Sequence, residues 1–227
     1  MLQQETGKNV DKRYLHEILL CSECGFRFPL SPTEKRLSNC PKCHAPLIQA
    51  EVPYNSFSVP QKKHHARHPE FISVLDNIRS AYNVGSIFRT SDGAGINRLV
   101  LCGITPTPEN ERVLKTSLGA EKSVNWSHSW SILESIVQLK ESGFFIVSLE
   151  GGESSVNIFS ALPILKQEQK PIALVVGNEV SGIDPEAVKL SNICIYIPME
   201  GIKESLNVAT AFGIASYLIR YQGMTNE

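Results

Sequence analysis

Four cysteines offer the plainest chemistry in the sequence. Cys21 and Cys24 form one CxxC pair, Cys40 and Cys43 form another, and fifteen residues separate the pairs. Two short loops of this kind can bring four thiolates into a tetrahedron around zinc. Gly25 follows the first pair, where a tight knuckle needs a permissive backbone, and Pro41 lies inside the second. Four sulfur ligands leave no open coordination position, so the metal is expected to be structural rather than catalytic. Free thiols or a redox pair are the alternatives, and two matched pairs favour metal. Cys102 and Cys194 lie in the apolar runs "LVLCGI" and "NICIYIP", where cysteine behaves as a small core residue.

A second set of polar residues falls in three separate stretches. Asn83 and Arg89 lie in "DNIRSAYNVGSIFRTSDGAG" (76–95). Glu179 lies in "VVGNEVSGI" (175–183). Glu200, Lys203, Glu204, Ser205 and Asn207 interrupt the otherwise apolar "IPMEGIKESLNVATAFGIASYLI" (197–219). Each residue has an ordinary explanation by itself. Asn83 or Ser205 can cap a helix, Arg89 can be a surface residue, and Gly177, Gly182 and Gly201 can make turns. Together the three stretches form a constellation.

The elements around them alternate. "FISVLDNI", "RLVLCGIT", "FFIVSLE", "KPIALVVGNEV" and "NICIYIPM" read as strands. "NVGSIFRTSDGAGI" reads as a loop entering a helix. "SWSILESIVQLKESG" has helical spacing at Ile132, Ile136, Val137 and Leu139, ending near Lys140 and Gly143. "DPEAVKLS" offers Asp184 as a cap with Pro185 at the first helical position. A last helix is expected from about Leu206 to Tyr221. The pattern predicts an α/β domain with a mainly parallel sheet covered on both faces. Ligands of such sheets bind beyond the carboxyl ends of the strands, and all three polar stretches leave such ends.

Length and composition set the frame. With 227 residues, 42% hydrophobic and 20% charged, the chain can build a substantial core. The net charge is -1 but uneven: residues 1–70 carry ten basic against seven acidic side chains, and residues 71–227 twelve against sixteen. Three parts are therefore expected: a zinc-ribbon segment over 1–50, a basic linker over 51–70, and an α/β domain over 71–227. In the linker, Lys62, Lys63 and Arg67, with His64, His65 and His68, read either as a solvated strip or as a phosphate-facing one. Phe26, Arg27 and Phe28 beside the first knuckle can stack on bases or pack the segment's own small core. No apolar run approaches the roughly 20 residues of a membrane helix, and "MLQQETGKNVDKRY" lacks a signal peptide's apolar stretch. A cytoplasmic, reducing location is the expectation.

The order and spacing of the three polar stretches resemble the signature motifs of the SpoU branch of the SPOUT RNA methyltransferases. The first is matched by Asn83-Val-Gly-Ser-Ile-Phe-Arg89-Thr, and the second by Gly177-Asn-Glu179-Val-Ser-Gly182-Ile. The third is matched by Ile197-Pro-Met-Glu-Gly201 followed by Ser205-Leu-Asn207-Val-Ala. "LKTSLGAEKSV" (114–124) also looks like the family's connecting segment. The resemblance covers about residues 71–222 and leaves out the zinc segment. It implies a C-terminal part threaded into a trefoil knot that holds S-adenosylmethionine. Cofactor contacts would fall at Gly177, Ile197 and Leu206, with Glu179, Met199 and Gly201 nearby. It also implies a homodimer with each active site completed across the interface. The reaction implied is methyl transfer to a ribose 2′-hydroxyl of tRNA or rRNA. Arg89 would be central to it, and Asn83, Glu179, Ser205 and Asn207 would complete the polar network. Methylation of an RNA base, or a zinc-ribbon adaptor that binds RNA without catalysis, are the competing readings.

Overall fold

In the computed structural model, residues 17–30, 37–50 and 70–221 are described. The chain divides into two compact units, Met1–Ala66 and Arg67–Glu227. In the first unit, β1 (Glu17–Cys21), β2 (Arg27–Leu30) and β3 (Leu47–Gln49) form an antiparallel sheet in the order β2-β1-β3. Its buried apolar residues include Ile18, Leu19 and Leu30. That is a small core for a free-standing unit, and such units need a covalent or metal staple. The basic linker residues Lys62, Lys63 and Arg67 lie outside the described residues.

The second unit runs β4 (Phe71–Asp76), α1 (Ala81–Ala94), β5 (Arg98–Cys102), α2 (Glu111–Ser117), β6 (Asn125–Ser129), α3 (Ile132–Glu141), β7 (Phe145–Leu149), β8 (Val156–Asn157), α4 (Ile158–Gln167), β9 (Ile172–Val176), α5 (Pro185–Leu190), β10 (Ile193–Tyr196) and α6 (Val208–Tyr221). Its seven strands are ordered β6-β5-β4-β9-β7-β10-β8, and every pairing is parallel. β4 is buried along its whole length, with alternate residues on opposite faces. Phe71 and Leu75 join a cluster with α1, α4 and α6, while Ile72 and Val74 join one with α3 and α5. The sheet is thus covered on both faces, as the continuous apolar strands require. From β4 the chain winds out to β6 on one side, then lays β7 to β10 on the other. The reversal falls at β4 and β9, where parallel sheets open a crevice at their carboxyl ends.

Several boundaries differ from the sequence expectation. Residues 83–90 are helix rather than loop, because Ser80 caps α1 early by accepting from the Asn83 N–H at 3.3 Å. α6 starts at Val208, and its cap is Asn207 rather than Ser205: Asn207 Oδ1 accepts from the backbone N–H of Ala209 (3.0 Å) and Thr210 (3.4 Å). Val137 of α3 faces solvent. The polar strand β6, the two-residue β8 and α4 are additions. β6 has no apolar alternation to betray it, and α4 carries Pro163 within its length. Asp184 and Pro185 start α5 as expected. Cys102 is fully buried, whereas Cys194 is half-buried with its thiol against the Glu150 carbonyl at 3.4 Å.

Candidate active site and metal centre

The carboxyl ends of β7, β9 and β10 open into a cavity of about 670 Å³. Its size suits a small cofactor. Leu149, Val176, Ile197, Leu206, Val208 and Ala211 give it apolar walls, and Glu150, Asn178, Glu179, Glu204, Ser205 and Asn207 supply its polar groups. Gly177, Tyr196, Met199 and Gly182 also line it. Gly177 is dictated by crowding. A Cβ there would collide with the backbone of Gly182 and Ile183, because the loop folds back on itself through paired 3.0 Å bonds between Asn178 and Gly182. Gly201 behaves otherwise. It does not line the cavity, its φ is not positive, and a Cβ there would meet open space. The bend assigned to Gly201 therefore does not depend on glycine.

One hydrogen-bonded chain joins the three motif stretches. Glu179 accepts from the backbone N–H of Arg79 (2.9 Å) and Ser80 (3.1 Å) and from Asn83 Nδ2 (2.9 Å). Asn83 Oδ1 in turn accepts from Asn207 Nδ2 at 3.1 Å, and Asn207 Oδ1 caps α6. The Glu179 carboxylate orients the Asn83 amide, the α6 backbone orients the Asn207 amide, and the two amides then bond each other. Burial would raise the Glu179 carboxyl, but the Arg79 N–H, the Asn83 amide and the Ser80 N–H together hold it below the ordinary value. Glu179 is thus an anion at the N-terminus of α1, where the helix dipole favours it. Its acceptor capacity is committed to the loop and α1, which suits a tether rather than a proton carrier.

A second clasp lies below this chain. Asp76, at the end of β4, is 2% exposed and accepts from the Asp184 N–H at 2.8 Å and from Asn77 Nδ2 at 2.8 Å. Asn77 takes a left-handed φ of 52°, and its carbonyl accepts from Asn178 Nδ2 at 2.7 Å. These bonds fix the β4 exit against the β9 loop. Sequence reading missed both residues, although an Asp-Asn pair closing an apolar strand is a turn signal.

Arg89 is elsewhere. It is exposed on α1 and lines a separate concavity of about 530 Å³ with Ser86, Thr90, Lys115, Thr116, Leu118 and Tyr217. Within one chain, Arg89 and the Glu179–Asn83–Asn207 chain belong to different cavities. Leu118 and Tyr217 leave that concavity with an apolar rim, 67% and 47% exposed. Gly85, next to the lining residue Ser86, lets α1 and α2 approach closely: a Cβ there would collide with Thr116 Oγ1 and the Val113 carbonyl.

In the first unit, Cys21, Cys24, Cys40 and Cys43 bring their sulfurs within 4.8 Å of one another. Cys21 lies 3.4 Å from Cys43, and Cys24 lies 3.7 Å from Cys40. Four sulfurs around one zinc at 2.3 Å would stand roughly 3.8 Å apart, so the set fits the ion. The knuckles match. Gly25 N–H donates to the Cys21 carbonyl and His44 N–H to that of Cys40, at 3.0 and 2.9 Å. Gly25 and His44 share a left-handed backbone, with φ 69° and 62°. The Cys24 N–H helps pull the Cys21 thiol down to about 7. At Cys43 the Ala45 N–H lowers the thiol, but the neighbouring cysteines push it up to about 12. Four thiols this close cannot all ionise without a cation among them. Phe26 and Phe28 lie 5.3 Å apart, with Phe26 exposed and Phe28 half-buried.

Residues 70–217 match the SpoU rRNA Methylase family. The chain is 32% identical over 158 residues to a tRNA (guanosine(18)-2′-O)-methyltransferase of Aquifex aeolicus, covering 66% of this chain and 69% of that one. It is 30% identical over 146 residues to an uncharacterized tRNA/rRNA methyltransferase of Mycobacterium tuberculosis, covering 64% of this chain. It spans half the length of the mycobacterial relatives it matches. Among solved structures, an AdoMet-bound rRNA methyltransferase from Sinorhizobium meliloti superposes with a TM-score of 0.61 at 26% identity, covering 69% of this chain and 59% of that one.

Proposed function

The chain belongs to the SpoU rRNA Methylase family, and on that premise we propose that it methylates a ribose 2′-hydroxyl of tRNA or rRNA using S-adenosylmethionine. The observation that carries this reading is the chain Glu179–Asn83–Asn207, which ties all three motif stretches to one cavity at the sheet's carboxyl edge. Gly177 and Gly182 leave the backbone bare there, and Ile197, Met199 and Leu206 give apolar cover suited to an adenine. The cofactor supplies a methyl group already electrophilic on its sulfonium.

The chain's own residues have to place the hydroxyl in line and steady the oxygen as its proton leaves. Arg89 is the residue for the second task. A guanidinium stays protonated in proteins, so it acts not as a base but as a two-pronged grip on the adjacent phosphate and on developing alkoxide charge. As the O–CH₃ bond forms and the C–S bond breaks, the hydroxyl proton passes to water or to that phosphate. Ser205, exposed at the cavity mouth, offers a hydroxyl to the substrate. Asn83, Glu179 and Asn207 act as positioning residues.

Arg89 and Ser205 line different cavities of one chain, so the reading includes a homodimer in which the Arg89 concavity meets a partner's cofactor cavity. Phe212 and Ile219 of α6 are buried in the chain's own core. Ile214 and Tyr217 remain exposed, as do Leu114, Leu118 and Tyr82, and these are the apolar groups free to pack against a copy. The cysteine cluster would hold one structural zinc, and its unit, with the basic linker, would add grip on structured RNA. Mixing Arg89→Ala and Asn207→Ala proteins tests the assignment. Heterodimers should recover part of the activity that each variant lacks, read as 2′-O-methylated nucleosides by mass spectrometry. Absence of recovery would place both residues in one chain's site, and a methylated base would move the acceptor off the ribose.

A further inference from the structure

Glu150 is the first residue beyond β7 and lines the cofactor cavity. Its Oε2 accepts from the Ile183 N–H at 3.0 Å. The carboxylate lies against the Cα of Gly182, so that a Cβ at Gly182 would stand 2.6 Å from Oε2 and 3.1 Å from Oε1. Gly182 has a φ of 74°, a backbone that strains any side chain, and a Cβ there would push the Glu150 carboxylate out of its present place. The loop is therefore shaped to hold one carboxylate in one place. Only one of its oxygens is committed to the backbone among the described bonds.

The other cavity carboxylates differ. Both oxygens of Glu179 are occupied by the N–H groups of Arg79, Ser80 and Asn83. Glu204 is exposed on the loop before α6. Glu150 alone is half-buried, anchored, and left with acceptor capacity toward the cavity. It rises next to Leu149, between the ends of the strands whose apolar residues form the walls. A fixed carboxylate acceptor beside such a slot matches a vicinal diol, whose two O–H groups can both donate to it. Acidic residues at strand ends of other nucleotide-binding sheets recognise ribose in this way.

We propose that Glu150 is a cofactor-binding residue whose Oε1 accepts a hydrogen bond from the ribose hydroxyls of S-adenosylmethionine, with Gly182 kept bare so that the carboxylate can lie there. The inference rests on the cofactor reading above, and wild-type binding tests that reading separately.

The experiment is calorimetric titration of the full chain and its Glu150→Gln variant with S-adenosylmethionine, S-adenosylhomocysteine and methylthioadenosine. Glutamine can keep the Ile183 N–H bond through its carbonyl while turning an NH₂ toward the cavity, so the unliganded thermal midpoint should hold. All three ligands carry the diol. Only the first carries the sulfonium, and only the first two carry an ammonium. Loss of a charged hydrogen bond predicts binding about 10- to 100-fold weaker for all three alike. Unchanged affinity would overturn the proposal. So would a loss confined to S-adenosylmethionine, which would point to the sulfonium, or a loss absent with methylthioadenosine, which would point to the ammonium. If the wild-type chain binds none of the three, the cofactor reading itself fails.

Discussion

At the residue scale, the separation of Arg89 from the cofactor cavity leads to a sharp expectation. Arg89→Ala should lower single-turnover methyl transfer by at least about 100-fold, the size expected when a charge-stabilising donor is removed. Cofactor affinity by titration should stay within about twofold. Lysine should rescue poorly, because a point charge cannot reproduce a planar fork on phosphate. Wild-type turnover in Arg89→Ala would remove Arg89 from the mechanism. Glu179 leads elsewhere. Its carboxyl is held below the ordinary 4.5, so its stabilisation is present above that value and is lost as pH falls through the lowered one. Glu179→Gln puts an NH₂ against a donor, and at pH 7 it should cost on the order of 1 kcal/mol after solvent screening. The gap in thermal midpoint between the two proteins should close as the pH falls below 4.5. A gap that persists in acid would mean that the charge is not what holds the loop.

At the element scale, the ends of β7, β9 and β10 and the helices α1, α2 and α6 line the two cavities, and what made these elements legible was uneven. The strands could be read because a parallel sheet buries both faces and leaves continuous apolar runs such as Ile172–Val176. Asp184 and Pro185 announced α5. The start of α1 was hidden because Ser80, a good cap, sits in a run of polar residues where any of several could serve. Asn207 was named as a site residue, but its role as the α6 cap needs the geometry. Gly85 stands inside the first motif, but the reason for glycine there is Thr116 on another helix, which no local pattern reveals. Gly85→Ala should therefore destabilise by about 1–3 kcal/mol or more through forced separation of α1 and α2, measured by denaturant unfolding. An unchanged midpoint would show that the helices have slack. Glu150 and Asp76 were missed for the same reason as Gly85: a carboxylate at a strand end reveals its partner only when the loop 33 or 108 residues away is placed beside it.

At the scale of the whole molecule, the cysteine cluster and the α/β unit were both visible from spacing, whereas the basic linker lies outside the described residues. Purified protein should contain about one zinc per chain. Stripping it with a chelator should unfold the residues 17–50 unit, seen as fast amide exchange there, while the α/β unit keeps its exchange protection. Equal protection in the stripped unit would show that its own small core suffices. The central claim is that the three tied motif stretches transfer a methyl group to ribose. It is tested most directly by incubating the full chain with RNA and S-adenosylmethionine carrying a labelled methyl group, then digesting the RNA to nucleosides and locating the label by mass spectrometry. The account predicts label on ribose as a 2′-O-methylnucleoside, absent with Arg89→Ala. Label on a base, or none with RNA from cells lacking this protein, would contradict it.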